Sequence, residues 1–196
     1  MNIMGLFTSL MCEDHIDIDI KSIIDYAYGL KKTSQSRSRT NRGGWQSDLL
    51  DEHKELQPLI LEINKRLNAL REIINFNDNI DLKIESLWIN INSPYSYNAR
   101  HIHPGSYMSG CFYIKVPEKS GNIVFKHPAF NLMFMNNSDD IFSSYNEVNS
   151  LSYSVLPQEK KLLLFPGWIE HEVEQNLSNE DRISIAFNTC FYKSEQ

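Results

Sequence analysis

Residues 83–92 read KIESLWININ. Trp88, Asn90 and Asn92 fall on one side of an extended chain and Ile89 and Ile91 on the other, because side chains alternate faces along a strand. The same grammar continues downstream. GCFYIKV (110–116), GNIVF (121–125), LSYSVL (151–156), KLLLF (161–165), EHEVEQ (170–175) and RISIAFN (182–188) are short runs rich in β-branched and aromatic residues. Clusters of Pro, Gly, Asn and Ser separate them, and no helical period intervenes. Many short strands at this spacing indicate an all-β sandwich or barrel. The longest irregular stretch, NNSDDIFSSYNEVNS (136–150), is long enough to be a lid or an insert.

Upstream the grammar is mixed. Ile16, Ile18 and Ile20 alternate with Asp17 and Asp19, the pattern of a half-exposed strand. KSIIDYAYGL (21–30) reads as a short helix with Gly29 near its end. KKTSQSRSRTNRGG (31–44) is polar and basic and reads as a loop, with contact to an anionic partner as the alternative. Leu49, Leu56, Leu59, Ile60, Ile63, Leu67, Leu70 and Ile74 recur at helical steps, with Ser47 as N-cap and Asp48 and Asp51 in the first turn. Pro58 either breaks this run or starts a second helix, and NFNDN (75–79) ends it. These helices either cover the sheet or form a homodimer face.

The chain has 196 residues, 41% hydrophobic, with a net charge of −6. That length gives one domain with a core large enough to fold without disulfides or structural metal. The acidic balance argues against a nucleic-acid partner. Cys12, Cys111 and Cys190 form no CxxC pair, which excludes a thiolate zinc site and suits a reducing, cytoplasmic location. No apolar stretch approaches a membrane span, and the N-terminus lacks the basic start of a secretory signal.

Three of the six histidines, His15, His53 and His127, read as ordinary surface or core residues. His101-Ile102-His103 is different, since two histidines two residues apart on an extended chain share a side and can converge on one metal. The pair precedes Pro104-Gly105, so it sits at a strand end. His171 lies far downstream at the start of another strand. Two near ligands and one distant ligand form a facial site with open positions. Arg182-Ile183-Ser184 places a guanidinium and a hydroxyl on one strand face, a fork for a carboxylate. The alternative is an outward-facing RIS, with Ile183, Ile185 and Phe187 packed on a core beneath it.

Together these blocks resemble the iron(II)- and 2-oxoglutarate-dependent oxygenases, and within them the oxygenase subfamily of bacteria and their phages. GGWQS (43–47), WININ, HIHPGSYMSGCFYIKVPEKSGNIVF, LLLFPGWIEHEV and NEDRISIAFN follow that subfamily's order and span most of the chain. The block at 111–125 is also similar to the strand-turn-strand of prolyl hydroxylases. The resemblance implies a double-stranded β-helix, a jelly-roll or cupin-like barrel in a mainly β chain, with N-terminal helices packed on one sheet. It divides a single domain, 1–196, into a mostly helical cover (1–82) and a core (83–196). It implies Fe(II) and 2-oxoglutarate as cofactors, dioxygen as co-reactant, and hydroxylation of a small-molecule or peptide substrate with release of succinate and CO₂. It places Tyr113, Arg182 and Ser184 on the distal carboxylate of 2-oxoglutarate, and His101 and His171 on the metal.

The family's usual HxD or HxE is HxH here. His103 is then a third ligand, an uncoordinated neighbour, or itself the first ligand. Three histidines, His101, His103 and His171, are the reading we adopt, since imidazole suits iron. Two rivals remain on the residues alone. One is a cupin-like metal enzyme that does not use 2-oxoglutarate, although no glutamate follows HxH between Pro104 and Gly110. The other is a non-catalytic jelly-roll binding module. Trp168 and the 136–150 stretch are candidate pocket walls, with a core position as an equal alternative for Trp168.

Overall fold

The computed structural model describes residues 1–196 except 3, 4, 6, 7, 51, 52, 130–141, 147 and 194–196. Eleven strands and two helices occur among the described residues: β1 (Cys12–His15), α1 (Lys21–Thr33), β2 (Asn41–Arg42), β3 (Trp45–Gln46), α2 (Gln57–Ile74), β4 (Ile80–Asn92), β5 (Tyr97–His101), β6 (Met108–Lys115), β7 (Ile123–Lys126), β8 (Ser152–Val155), β9 (Lys161–Pro166), β10 (His171–Val173) and β11 (Arg182–Lys193). They form two antiparallel sheets, ordered β1-β9-β6-β11-β4-β3 and β2-β5-β10-β7-β8. None of the described helices is long and apolar enough to cross a membrane.

The period-2 alternation decides what each face of the six-stranded sheet does. Leu87, Ile89 and Ile91 of β4, Phe112 and Ile114 of β6, Leu162 and Leu164 of β9, and Ile183, Ile185 and Phe187 of β11 point to one side. There they join Ile23 and Ala27 of α1 and Leu59, Ile63, Leu67 and Leu70 of α2 in one buried cluster. The helical stripe expected from Leu59 onward is therefore the stripe that covers the sheet. The opposite faces of the same strands turn toward the second sheet. Cys111, Tyr113, Leu163 and Phe165 meet Ile123, Phe125 and Val155 in a smaller cluster between the sheets.

Gly110 shows how closely the layers approach. A Cβ there would lie 2.6 Å from Leu163 O and would also overlap the Phe187 ring. Gly110→Ala is expected to cost about 3 kcal/mol, the upper end of the range for overpacking a filled core. Urea unfolding measures it, and an unchanged midpoint would mean that the strands are not this tightly packed.

Several upstream expectations are corrected. Residues 16–20 are not a strand. β1 lies just before them, paired with β9 from Cys12–Leu164 to His15–Lys161. The alternation still sorts burial, since Ile16 is buried and Ile18 and Ile20 pack against the core. Helix α1 runs past Gly29 to Thr33. The polar run after it is not loop throughout, because Asn41 and Arg42 pair with Asn98 and Tyr97 of β5. Ser47 caps no helix. It is buried, receives the Ile89 N–H on its Oγ at 2.9 Å and donates its own N–H to Ile89 O at 3.0 Å. The chain there follows the edge of β4, so helical spacing from Leu49 was overridden by strand pairing. Asp51 lies outside the described residues. α2 begins only at Gln57, with Pro58 in its first turn, where a missing N–H costs nothing. Asn75, left-handed at φ 61°, closes it. Residues 1–82 thus supply β1, β2, β3 and the start of β4 as well as both helices.

Candidate active site

Register builds the site. On β4, β11 and β6, Asn90, Ser184 and Tyr113 lie side by side, and Trp88, Ala186 and Cys111 form the next row. Arg182 lies opposite Asn92 at the end of the same face. On the second sheet His171 of β10 lies between His101 of β5 and Phe125 of β7. A cavity of about 310 Å³ opens between the two faces, and all six residues singled out from the sequence line it. The ladder slips between Ile183 and Ser184, and again between His171 and Val173. Such irregularities re-aim side chains beside functional sites.

The three imidazoles converge. One ring nitrogen from each of His101, His103 and His171 lies within 4.8 Å of the other two. His103 Nε2 is 3.3 Å from His171 Nε2. His101 Nδ1 is 2.7 Å from Ala99 O and His171 Nδ1 is 2.9 Å from Ile169 O. A carbonyl only accepts, so these contacts put the protons on Nδ1 and leave Nε2 of both rings as lone-pair donors. His103 sits after the end of β5 and is held by its backbone, with its N–H donated to Gly167 O at 2.7 Å. A Cβ on Gly167 would strike Ser106 O and come within 3.0 Å of His103 O, so only glycine lets the two turns touch. Phe165 packs edge-on against His171 at 4.8 Å, and Trp88 lies 5.9 Å from His103.

Burial keeps all three rings neutral. It lowers His101, against the opposing bond to Ala99. It lowers His103 to about 4, helped by the neighbouring His101. It lowers His171 to about 3, with help from both neighbours. Neutral imidazole is the metal-binding form. The same shifts set a stability dependence. The unfolded histidines take up protons below about pH 6.5 while the folded ones do not, so stability is full above that pH and falls as pH drops toward 4. Metal-stripped protein should therefore lose melting temperature between pH 6.5 and 4, and less so in His171→Asn. Identical profiles for the two proteins would contradict this.

Arg182 is buried, 1% exposed, so it is not on an outward face. Its Nη1 donates to Ser120 O and Gly121 O, both at 3.0 Å, while Nε has no partner among the described residues. Burial lowers its affinity for a proton without discharging it. Tyr113 and Ser184 are buried beside it. Burial also drives the Tyr113 hydroxyl well above its usual range, with Cys111 adding to the rise and Arg182 opposing it, so it stays protonated as a donor. A buried cation with an unsatisfied N–H is costly unless an anion completes it.

The donor set fits the groups implied by the resemblance: three neutral imidazoles for a divalent metal and an under-partnered guanidinium for a carboxylate. The sequence reading missed Asn98 and Asn188, which also line the cavity, and Asn90, whose Oδ1 has no partner among the described residues. Asn90 and Asn188 stand in the alternation of β4 and β11 and Asn98 in β5, but an amide carries no diagnostic spacing. Trp168 is half exposed, at 50%, and is not a wall of the cavity. Residues 136–141 and 147 of the 136–150 stretch, expected as a lid or an insert, fall outside the described residues.

Comparison with known proteins agrees with this geometry. No curated protein matches the chain. Among solved structures, a prolyl-4-hydroxylase of Pseudomonas putida shares 12% identity over 96% of this chain and 95% of its own, with a TM-score of 0.64. The viral collagen prolyl hydroxylase of Paramecium Bursaria Chlorella virus-1, solved with 2-oxoglutarate, shares 13% over 91% and 96%, with a TM-score of 0.57. HygX of Streptomyces hygroscopicus, solved with nickel and 2-oxoglutarate, shares 12% over 95% and 84%, with a TM-score of 0.59. At such identities these structures establish the fold, a jelly-roll core shared along nearly the whole chain. The family described as "Putative 2OG-Fe(II) oxygenase" matches residues 86–188, just over half of the chain and a span that contains every site residue named above. With both the fold and that match in place, this chain belongs to the 2OG-Fe(II) oxygenases, enzymes that use Fe(II), 2-oxoglutarate and dioxygen.

Proposed function

We propose that His101, His103 and His171 hold Fe(II), and that Arg182, Ser184 and Tyr113 hold the distal carboxylate of 2-oxoglutarate. The observation that carries this is the shared cavity: three imidazole donors and the under-partnered Arg182 line the same space.

Bound Fe(II) supplies the family's oxidation chemistry, in which 2-oxoglutarate and dioxygen give succinate and CO₂ as a substrate carbon is hydroxylated. The protein's part is positional. The carbonyls of Ala99 and Ile169 fix the rings of His101 and His171 with Nε2 free. Phe125 and Phe165 pack on His171 and keep water from that side. Three neutral ligands would leave the dication without a protein anion, so of the cosubstrate's two negative charges one would offset the metal and the other would pair with Arg182. Arg182 completes its donor set on that anion, with the Ser184 and Tyr113 hydroxyls beside it.

Anaerobic addition of Fe(II) and then 2-oxoglutarate should give a weak visible charge-transfer band. Metal binding without the band would mean that the cosubstrate does not chelate, favouring the cupin-like alternative. The substrate is a small molecule or a peptide, classes that both occur among enzymes of similar fold, one solved with a hypoxia-inducible-factor peptide and one with hygromycin B. Three free thiols suit a reducing compartment, and we place the protein in the cytoplasm, which cell fractionation tests.

A further inference from the structure

Arg39 separates from the chain's other arginines by its surroundings. Arg37 pairs with Asp48, Arg66 with Asp14 and Glu62, Arg71 with Asp81, and Arg100 with Glu170. Arg42 folds its Nη1 back onto the carbonyls of Arg39 and Asn41. That leaves Arg39 and Arg182, and both line the cavity. Neither has a carboxylate partner among the described residues. Arg182 is buried and assigned above to the cosubstrate, whereas Arg39 is exposed at the cavity edge with no assigned role.

The segment that carries Arg39 is fastened down. Arg39 N–H donates to Asn41 Oδ1 at 2.9 Å, Ala99 N–H to Thr40 O at 2.9 Å, and Asn98 Nδ2 to Thr40 Oγ1 at 3.4 Å. The neighbouring Arg37 N–H donates to Gln46 O at 2.9 Å. A long cationic side chain is thus launched from a fixed backbone point beside the cavity. The charge of the wall is equally one-sided. In a chain with 25 Asp and Glu against 19 Lys and Arg, no described carboxylate lines the cavity. Low-dielectric walls with charge of one sign focus an attractive potential for the opposite sign.

We propose that the oxidised substrate is a small-molecule acid whose carboxylate or phosphate is held by Arg39. The inference rests on the assignment of Arg182 to 2-oxoglutarate, which leaves Arg39 free for a second anion. Size supports a small molecule. A cavity of about 310 Å³ lies at the lower end for ligand pockets, and the cosubstrate takes part of it. Thr40, Gln46, Asn90 and Asn98 supply neutral hydrogen-bonding groups for the rest of the molecule.

The test uses the full chain carrying Zn(II), which is diamagnetic and inert to dioxygen, with and without saturating 2-oxoglutarate. Saturation-transfer NMR compares matched probes: nucleoside 5′-monophosphates against nucleosides, and N-acetyl amino acids against their amides. The expected result is a preference of about fivefold or more for the charged member of one pair class, the scale of a solvent-accessible bidentate pair. Arg39→Gln should abolish that preference while shifting 2-oxoglutarate affinity less than about twofold. The class showing the effect identifies the anion as carboxylate or phosphate. No preference in either class, or one that survives Arg39→Gln, overturns the proposal. Loss of 2-oxoglutarate binding to the wild type, with an Arg39-dependent preference intact, refutes the cosubstrate assignment and supports the Arg39 site.

Discussion

His171→Ala lowers the affinity for Fe(II) by more than about 100-fold. Losing a group that merely orients a metal ligand already costs about 10- to 100-fold, so losing the ligand costs more. His171 is the most buried of the three rings, its Nε2 faces His103 Nε2, and no other described side chain among His, Cys, Asp and Glu joins the group to replace it. Anaerobic titration with Fe(II), or with Co(II) as a coloured substitute, measures the loss. His127→Ala is the control, because its Nδ1 accepts the Ala129 N–H in a turn and it does not belong to the histidine group among the described residues. The same titration on His103→Ala decides the role of the residue that departs from the family's HxD or HxE. A loss comparable to that of His171→Ala makes His103 a ligand, whereas a change of a few-fold leaves it an uncoordinated neighbour. Unaltered affinity in His171→Ala would remove the proposed centre altogether.

Arg182→Met raises the dissociation constant of 2-oxoglutarate by about 30-fold or more. Truncating one partner of a buried charge pair costs about 2–5 kcal/mol, and each 1.36 kcal/mol is tenfold. Methionine is chosen over alanine because it fills the space and needs no partner. Arg182 without an anion is a buried cation with Nε unsatisfied, so the variant should melt no lower than the wild type in the absence of ligand. 2-Oxoglutarate should then raise the melting temperature of the wild type by mass action and leave that of the variant unmoved. Arg182→Lys keeps the charge but loses the fork, and an intermediate loss is expected. Equal stabilisation of wild type and Arg182→Met by 2-oxoglutarate would place the cosubstrate elsewhere.

Both arguments depend on strand alternation, which the sequence itself carries. KIESLWININ, CFYIKV and RISIAFN each carry an aliphatic face and a polar or mixed face. Those faces became the helix-covered core and the cavity wall. Upstream the same reading failed, for physical reasons. Leu49 and Leu56 fit a helical step, yet residues 45–50 run along β4 because its edge offered backbone partners there. Spacing within a segment carries no information about an unpaired strand edge far along the chain. Trp168 failed similarly, since an aromatic side chain is compatible with a wall, a core or a surface, and packing alone chooses.

By itself, the sequence determined which residue types could do chemistry and on which strand faces they lie. Arg182 must share a side with Ser184, because the pleat has a period of two, whereas His103 lies past the end of β5, where that period does not place it. Only the tertiary structure decided which faces meet. Antiparallel pairing set His171 opposite His101, and the turn pinned by Gly167 brought His103 to both. The stacking of two sheets then placed the three rings and Arg182 around one cavity. It also placed Arg39, from a segment that reads as ordinary polar loop, at the edge of that cavity. Convergence of groups from distant segments is a property of register and layer packing, which no local pattern encodes.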